Sequence, residues 1–236
     1  MKEKNVVITG ATKGIGLAIV ELLASKGYHI ALCARTGKQV RELIKNLQQK
    51  HPNQTFYGSA VDVSKMKEVS RFAGEVNQQF DQVDVLINNA GVFIPGNLLE
   101  EENGMLEKQL NTNLMSAYTL TRLLAPDMVK RSTGDIVNIC SVAGIQAYPN
   151  GGSYCISKFA MRGMSLVLRE ELKEKGVRVT TISPGATWSN SWAGSDLPPE
   201  RLMPAADIAK AVLMAIELDA SSVMEEIILR PQLGDL

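Results

Sequence analysis

The segment from Val6 to Ser25 constrains the fold of this chain more than any other. A short β-branched run, Val6–Thr9, passes through Gly10-Ala11-Thr12-Lys13-Gly14-Ile15-Gly16 into Leu17–Ser25, where apolar residues recur at helical spacing. A strand that turns through glycines into a helix is the first step of a parallel α/β unit, because the helix must cross back over the sheet before the next strand begins. The rest of the chain continues the pattern. Ile30–Ala34, Val83–Asn88, Ile136–Ser141 and Val177–Ser183 read as buried strands, with Thr55–Val61 and Ile227–Leu229 as weaker ones. Between them Ile15, Ile19, Leu22 and Leu23 form one apolar helix face, Val40, Leu43, Ile44 and Leu47 a second, and Leu166, Val167 and Leu172 a third. Such alternation implies a parallel sheet with helices on both faces. A closed β/α barrel would alternate in the same way, and the glycine turn after the first strand decides for the open sheet.

The chain has 236 residues, and no linker, charge block or internal repeat divides it, so one domain over residues 1–236 is expected. A core of that size needs neither disulfide nor metal. With 25 basic and 25 acidic side chains there is no electrostatic reason to expect nucleic acid or an anionic membrane as partner. Cys33, Cys140 and Cys155 form no CxxC pair, and His29 and His51 are the only histidines, which excludes a zinc ribbon and fits a reducing, cytoplasmic compartment. No apolar run reaches the roughly 18 residues that span a bilayer. The least regular stretch is Pro184–Pro204, which carries both tryptophans, Trp188 and Trp192. A substrate lid is expected near 186–204.

The glycine loop has the physics of a dinucleotide site. One glycine allows the tight turn, another lets the backbone approach a pyrophosphate, and a third lets helix pack on strand; the helix N-terminus then presents free N–H groups to the phosphates. The expected architecture is therefore a Rossmann-like doubly wound parallel sheet of about seven strands. The second strand ends Ala34-Arg35-Thr36, without the carboxylate that would take a ribose 2′-hydroxyl. Arg35 and Lys13 supply positive charge instead, which favours the 2′-phosphate of NADP(H) over NAD(H).

Tyr154 and Lys158, one helical turn apart, form the candidate catalytic pair. A phenol is a usable acid at neutral pH, and an ammonium beside it stabilises the phenolate left when the proton is given. The pair can therefore exchange a proton with a carbonyl or alcohol oxygen while a nicotinamide exchanges hydride with the carbon. Ser141, at the end of the Ile136–Ser141 run, presents a hydroxyl at the carboxyl edge of the sheet, where ligands sit in open α/β folds.

Together these residues resemble the short-chain dehydrogenase/reductase family, in its short single-domain form. Thr9–Gly16 is similar to that family's TGxxxGxG, Asn88-Asn89-Ala90-Gly91 to NNAG, and Tyr154-x-x-x-Lys158 to its catalytic motif; Asn113, Ser141 and Pro184-Gly185 complete the order. The resemblance covers about residues 5 to 230. It implies that Tyr154 is the general acid in reduction and the base in oxidation. Lys158 would also bind the nicotinamide ribose, Ser141 would hold the substrate oxygen, and Asn113, in a long helix, would support a water that feeds protons to Lys158. The implied cofactor contacts are Gly10, Thr12, Lys13, Gly14, Ile15, Gly16, Arg35, Asn89, Ala90, Gly91, Tyr154, Lys158, Pro184, Gly185 and Thr187, with Asp62 and Val63 on the adenine. The plainer reading of Asp62 is a helix N-terminal or turn acid, and Ser64 offers an N-cap to the helix after it. Ser189 stands where the family often has Thr. The resemblance also implies a homodimer or homotetramer paired through helices around Asn113–Val129 and Ser157–Lys173. In the first of these, Leu114, Met115, Tyr118, Leu120, Leu123 and Leu124 are more apolar positions than one core face requires.

Several features have plainer readings. Cys140 and Cys155 should point away from Ser141 and Tyr154 as small core residues. Glu100-Glu101-Glu102 reads as a solvated helix start. A serine hydrolase is excluded, since Ile139 and Ala143 occupy the glycine positions of a GxSxG elbow around Ser141. The runner-up function is a catalytically inactive NADP-binding sensor, which would need the glycine loop but not Ser141, Tyr154 and Lys158 together. The expected substrate is a small carbonyl or alcohol compound in a pocket walled by Val92–Pro95, Gly144–Tyr148 and the two tryptophans. Small ketones, 3-oxoacyl thioesters and pterin-like compounds stay open as its identity.

Overall fold

A computed structural model describes residues 4–188, 198 and 201–235. Strands β1 (Asn5–Thr9), β2 (His29–Ala34), β3 (Phe56–Ala60), β4 (Val85–Asn88), β5 (Gly134–Ile139), β6 (Val177–Pro184) and β7 (Glu226–Leu229) form one sheet in the order β3-β2-β1-β4-β5-β6-β7. Every pairing is parallel. The order reverses between β1 and β4, so a crevice opens at the carboxyl ends of those strands. The doubly wound sheet expected from the alternation is the one observed. No helix among the described residues is long and apolar enough to cross a membrane.

Helices α1 (Gly14–Ser25), α2 (Gly37–Lys50) and α7 (Ala205–Glu217) contribute to the core on one face, which takes Val6 and Ile8 from β1. On the other face Val7 packs with residues of α3 (Met66–Gln79), α5 (Ser116–Arg131) and the end of α6 (Gly152–Leu172). The alternation of Val6, Val7 and Ile8 between the two cores follows from the two-residue period of a strand. On α1 and α2 the expected apolar faces point inward: Ile19, Leu23, Val40 and Leu47 are buried, and Ile15, Leu22, Leu43 and Ile44 pack against the same core.

The third face differs. Of its three residues, all on α6, only Leu172 is buried; Leu166 and Val167 are 53% and 56% exposed. The stripe that meets the molecule's interior is Ser153, Ser157, Met161 and Ser165. Small residues let this helix lie close to its neighbours, and each serine hydroxyl finds a partner there, so hydrophobicity alone points to the wrong side. On α5, Leu120 and Leu124 belong to the core, whereas Tyr118 and Leu123 face outward.

Asn113 does not lie in a regular α-helix. A short helix α4 (Met105–Leu110) runs into a π-helical turn, Asn111–Met115, before α5 begins. The Ser116 N–H reaches back five residues to the Asn111 carbonyl, and the Ser116 hydroxyl donates to the Thr112 carbonyl instead (2.6 Å). Such turns cluster at functional sites because they redirect one set of backbone groups and side chains. Glu100–Glu102 does not start a helix, since α4 begins at Met105.

Candidate active site

The glycine loop binds tightly to its surroundings. Gly10 and Gly14 take φ of +68° and +51°, where a Cβ is strained. A Cβ on Gly16 would sit 2.2 Å from the Gly10 carbonyl oxygen and 2.5 Å from Asn89 Nδ2. Asn89 donates that amide to the carbonyls of Thr9 (2.8 Å) and Gly10 (3.0 Å), while the backbone N–H groups of Asn89 and Ala90 donate to the Thr9 hydroxyl. The NNAG segment thus clamps the loop from the β4 side of the crevice. Among the described residues no side chain caps α1, its first turn holds no acid, and the Leu17 N–H bonds the Lys13 carbonyl at 3.2 Å. The N–H groups before Leu17 have no helical acceptor, so this cradle fits the pyrophosphate of a dinucleotide.

At the far end of the loop the Thr12 hydroxyl donates to Gln39 Oε1 in the first turn of α2 (3.4 Å). Arg35 and Lys13 are exposed there. Asp62 is a turn acid. Its Oδ1 accepts the Ser64 hydroxyl (2.7 Å) and N–H (3.1 Å). The Ser64 hydroxyl, with help from the charges of Lys65 and Arg35, holds its carboxyl below the usual value. Ser64 is therefore spent on Asp62 and does not cap α3, whose N-cap is Lys65. Val63 beside it is buried.

The catalytic candidates meet in one cavity of about 350 Å³. Ser141, Tyr154 and Lys158 line it together with Ile15, Asn89, Gly91, Pro184, Gly185 and Thr187. Ser141 stands two residues beyond the end of β5, and its Oγ accepts the Ala143 N–H at 3.1 Å, which fixes the rotamer and leaves the hydroxyl proton for a ligand. Lys158 is buried, and its ammonium donates to the Ile139 carbonyl (3.1 Å) and lies 5.9 Å from the centre of the Tyr154 ring. Among the described residues no carboxylate pairs with it, so its charge acts on the cavity without a counter-ion. Phe93 packs edge-on against Tyr154 with ring centres 4.9 Å apart. Cys140 and Cys155 are buried as expected, yet both also line the cavity. Burial pushes the Cys140 thiol up, away from the reactive thiolate form.

Asn113 serves the site through its side chain. Its Oδ1 accepts the Val92 N–H (2.8 Å), and its Nδ2 donates to the Val92 carbonyl (3.0 Å) and to Ser157 Oγ (2.8 Å). The amide therefore ties the loop after β4 to the helix that carries Tyr154 and Lys158. Both of its amide hydrogens are used in those bonds, so a water held here would bond the remaining Oδ1 lone pair or the backbone. Asn138 makes the parallel tie, from the Asn88 amide to Ser165 on α6.

Glu101 was not legible as part of this site. Helix α6 has Gly151 at its N-cap and no capping side chain of its own. Glu101 supplies the cap: Oε1 accepts the Ser153 N–H at 2.9 Å and Oε2 accepts the Ser153 hydroxyl. A Cβ on Gly152 would fall 2.2 Å from Glu101 Oε1, so glycine there admits the carboxylate. Tyr154 directly follows the capped Ser153. The only sequence signal is the absence of any Ser, Thr, Asp or Asn at position 151, which means the cap must come from elsewhere.

Of the expected pocket wall, Val92, Phe93 and Tyr148 line the cavity, and Trp188 does not; it is half exposed. The expectations for Ser189 and Trp192, and most of the proposed lid, lie outside the described residues. The ends of that segment are joined, with the Trp188 N–H donating to the Met203 carbonyl (2.8 Å) and the Met203 N–H to the Ala186 carbonyl (2.9 Å).

The sequence profile of the family described as short chain dehydrogenase matches residues 4–196. The chain is similar to an uncharacterized oxidoreductase of Staphylococcus saprophyticus, with 31% identity over 232 residues and 98% of each chain covered. It is 33% identical over 238 residues to a sepiapterin reductase of Chlorobaculum tepidum, covering 98% of this chain and 97% of that one. Its structure is similar to that of an alcohol dehydrogenase from Thermococcus sibiricus complexed with 5-hydroxy-NADP, with a TM-score of 0.91 at 28% identity over 100% of this chain and 99% of the other.

Proposed function

Because the chain belongs to the short chain dehydrogenase family, we propose that it is an NADP(H)-dependent oxidoreductase interconverting a small carbonyl compound and its alcohol. The observation that carries this is one cavity lined at once by Ser141, Tyr154, Lys158, the glycine-loop residue Ile15 and the Pro184-Gly185 turn. When bound, the cofactor supplies hydride to the carbonyl carbon or accepts it from the alcohol. The Ser141 hydroxyl donates to the substrate oxygen and polarises the carbonyl. Tyr154 gives its phenolic proton to that oxygen in reduction and takes it back in oxidation. The buried Lys158 ammonium stabilises the phenolate and offers a donor to a ribose hydroxyl. Asn113 and Glu101 position the helix on which Tyr154 and Lys158 stand.

The N–H groups at the start of α1, with Gly10, Thr12, Lys13, Gly14 and Gly16 around them, would hold the pyrophosphate. Asn89, Ala90 and Gly91 close the cradle, and Thr187 joins the loop at the nicotinamide side. Lys13 and Arg35, with no acid at the end of β2, favour a 2′-phosphate, and Asp62-Val63 would border the adenine. The alcohol dehydrogenase that shares this fold over its whole length is complexed with an NADP derivative, which supports the same choice here. The outward face of α5 and α6, with Tyr118, Leu123, Phe159, Leu166 and Val167 exposed, supports pairing with a second copy into a homodimer or homotetramer. Three buried free cysteines support a reducing, cytoplasmic setting.

The test is a screen for NADPH oxidation over ketones, acyl thioesters and pterins, with NADH as control. Turnover with NADPH well above NADH supports the proposal. NADPH binding without turnover of any carbonyl compound would favour the inactive sensor.

A further inference from the structure

The tie that Asn113 makes to the loop after β4 has a second half. Gln109 stands four residues earlier, in α4, and is completely buried. Its Oε1 accepts the Ile94 N–H (3.3 Å) and its Nε2 donates to the Ile94 carbonyl (3.2 Å). Asn113 makes the same two bonds to Val92. At Gly96 the N–H donates to the Asn150 carbonyl (3.0 Å), in a parallel bridge to Gly151. The segment from Val92 to Gly96 is therefore bonded at every second residue, as a strand would be, with two side-chain amides in place of a neighbouring backbone. The spacing allows it, since four helical residues rise about 6 Å and two strand residues about 6.6 Å. Exposure alternates to match: Val92, Ile94 and Gly96 are half-buried, whereas Phe93 and Pro95 are exposed. Phe93, between the two clipped residues, lines the cavity and meets the Tyr154 ring edge-on.

We infer that Gln109 is a positioning residue for proton transfer: by fixing Ile94 it holds Phe93 against the Tyr154 ring and keeps the phenol in the cavity beside Ser141 and Lys158. The proton-transfer role rests on the reductase function proposed above; the placement of Tyr154 does not. A buried amide costs free energy unless its groups are bonded, and a leucine would fill the same place without that cost. Both bonds of Gln109 go to one residue of a segment that belongs to no helix or strand, so what they secure is the position of that segment. An edge-on contact between two rings is weak, and it restrains Tyr154 only if the backbone that carries Phe93 does not move. The bonds at Val92 and Ile94 fix that backbone on both sides of Phe93.

The experiment uses Q109M and Q109L, which keep the bulk and remove the amide, beside F93A. Fluorine NMR of protein labelled with 3-fluorotyrosine reads the surroundings of the Tyr154 ring directly, the signal being assigned by its loss in Tyr154→Phe. In F93A the signal should shift as the ring current of Phe93 is withdrawn. In at least one Gln109 variant it should move most of the way to that position, while the signals of Tyr28 and Tyr57, far from the loop, stay in place. With unlabelled protein and a carbonyl compound that it reduces, the same variant should lower kcat by about tenfold or more and leave the KM for NADPH within about twofold. Added to F93A, it should cost less than about twofold, because the residue it acts through is already gone. A Tyr154 signal that stays in place, a kcat close to the natural one, losses that simply add to those of F93A, or loss of the fold in both Gln109 variants overturns the inference. The reductase function fails separately, if no carbonyl compound oxidises NADPH, and the fluorine signal then still decides whether Gln109 places Tyr154.

Discussion

Replacing Glu101 with alanine tests whether a carboxylate far in sequence from the catalytic helix holds Tyr154 in place. The side chain accepts both the N–H and the hydroxyl of Ser153, at the first turn of α6, where no other side chain among the described residues caps the helix. A charged cap of this kind contributes about 1.5–3 kcal/mol through its hydrogen bonds, and losing an ordinary N-cap costs about 0.5–2 kcal/mol. Glu101→Ala should therefore destabilise the protein by about 2–3 kcal/mol, which for a chain of this size lowers Tm by roughly 4–12 °C. The first turn frays, and Tyr154 is in it. A misplacement of about 1 Å costs up to about 10²-fold, so kcat should drop by about 10- to 100-fold. The KM for NADPH should change little, since the glycine loop stands on other elements. Glu101→Gln keeps an acceptor for the Ser153 N–H and should recover most of kcat and over half of Tm. Thermal unfolding followed by circular dichroism and steady-state kinetics with NADPH check both. Glu101→Ala with wild-type Tm and kcat would show that the cap holds nothing.

Arg35→Ala should raise the KM for NADPH by about 10- to 100-fold, the loss of roughly 1.5–3 kcal/mol of charged hydrogen bonding, and leave NADH nearly unchanged. Steady-state kinetics with both cofactors check this, and equal weakening toward both would mean that Arg35 does not read the 2′-phosphate. Glu226 joins β7 to α6 through Arg162, with Nε–Oε1 and Nη2–Oε2 at 2.7 and 3.0 Å, and the Arg162 hydrogen bond holds its carboxyl below the usual value. A depressed carboxylate stabilises the fold above its unfolded pKa of about 4.3 and loses that contribution as pH falls further, so Glu226→Gln should flatten the acid limb of a urea-stability profile below that pH. Static light scattering should give a mass of at least two chains at micromolar concentration, and a monomer would contradict pairing through α5 and α6.

The sheet and its helices were legible because buried strands and amphipathic helices leave period-two and period-3.6 patterns in the residues themselves. Strand ends moved by a residue or two, as with the Ile136–Ser141 run, whose strand spans Gly134–Ile139. Helix α6 misled for a physical reason. Its inner stripe is mostly serine, satisfied by Glu101, Asn113 and Asn138, so two of the three apolar residues read as core, Leu166 and Val167, are turned outward. The convergence of Ser141, Tyr154 and Lys158 was legible through motif spacing. Glu101 was not, because it reaches Ser153 across more than fifty residues, and such a pairing leaves no local pattern. The π-helical turn at Asn113 likewise has no hydrophobic period to announce it.

The central claim is that the Tyr154 phenol donates the proton to a carbonyl oxygen in this cavity. Single-turnover and steady-state reduction of a carbonyl substrate by NADPH, compared between the natural protein and Tyr154→Phe, test it most directly. The substitution keeps the ring that packs against Phe93 and removes only the hydroxyl that carries the proton. It should lower kcat by at least about 10²-fold, the lower end of general acid contributions, with NADPH affinity nearly unchanged. A Tyr154→Phe protein that reduces the same substrate at close to the natural rate would contradict the account.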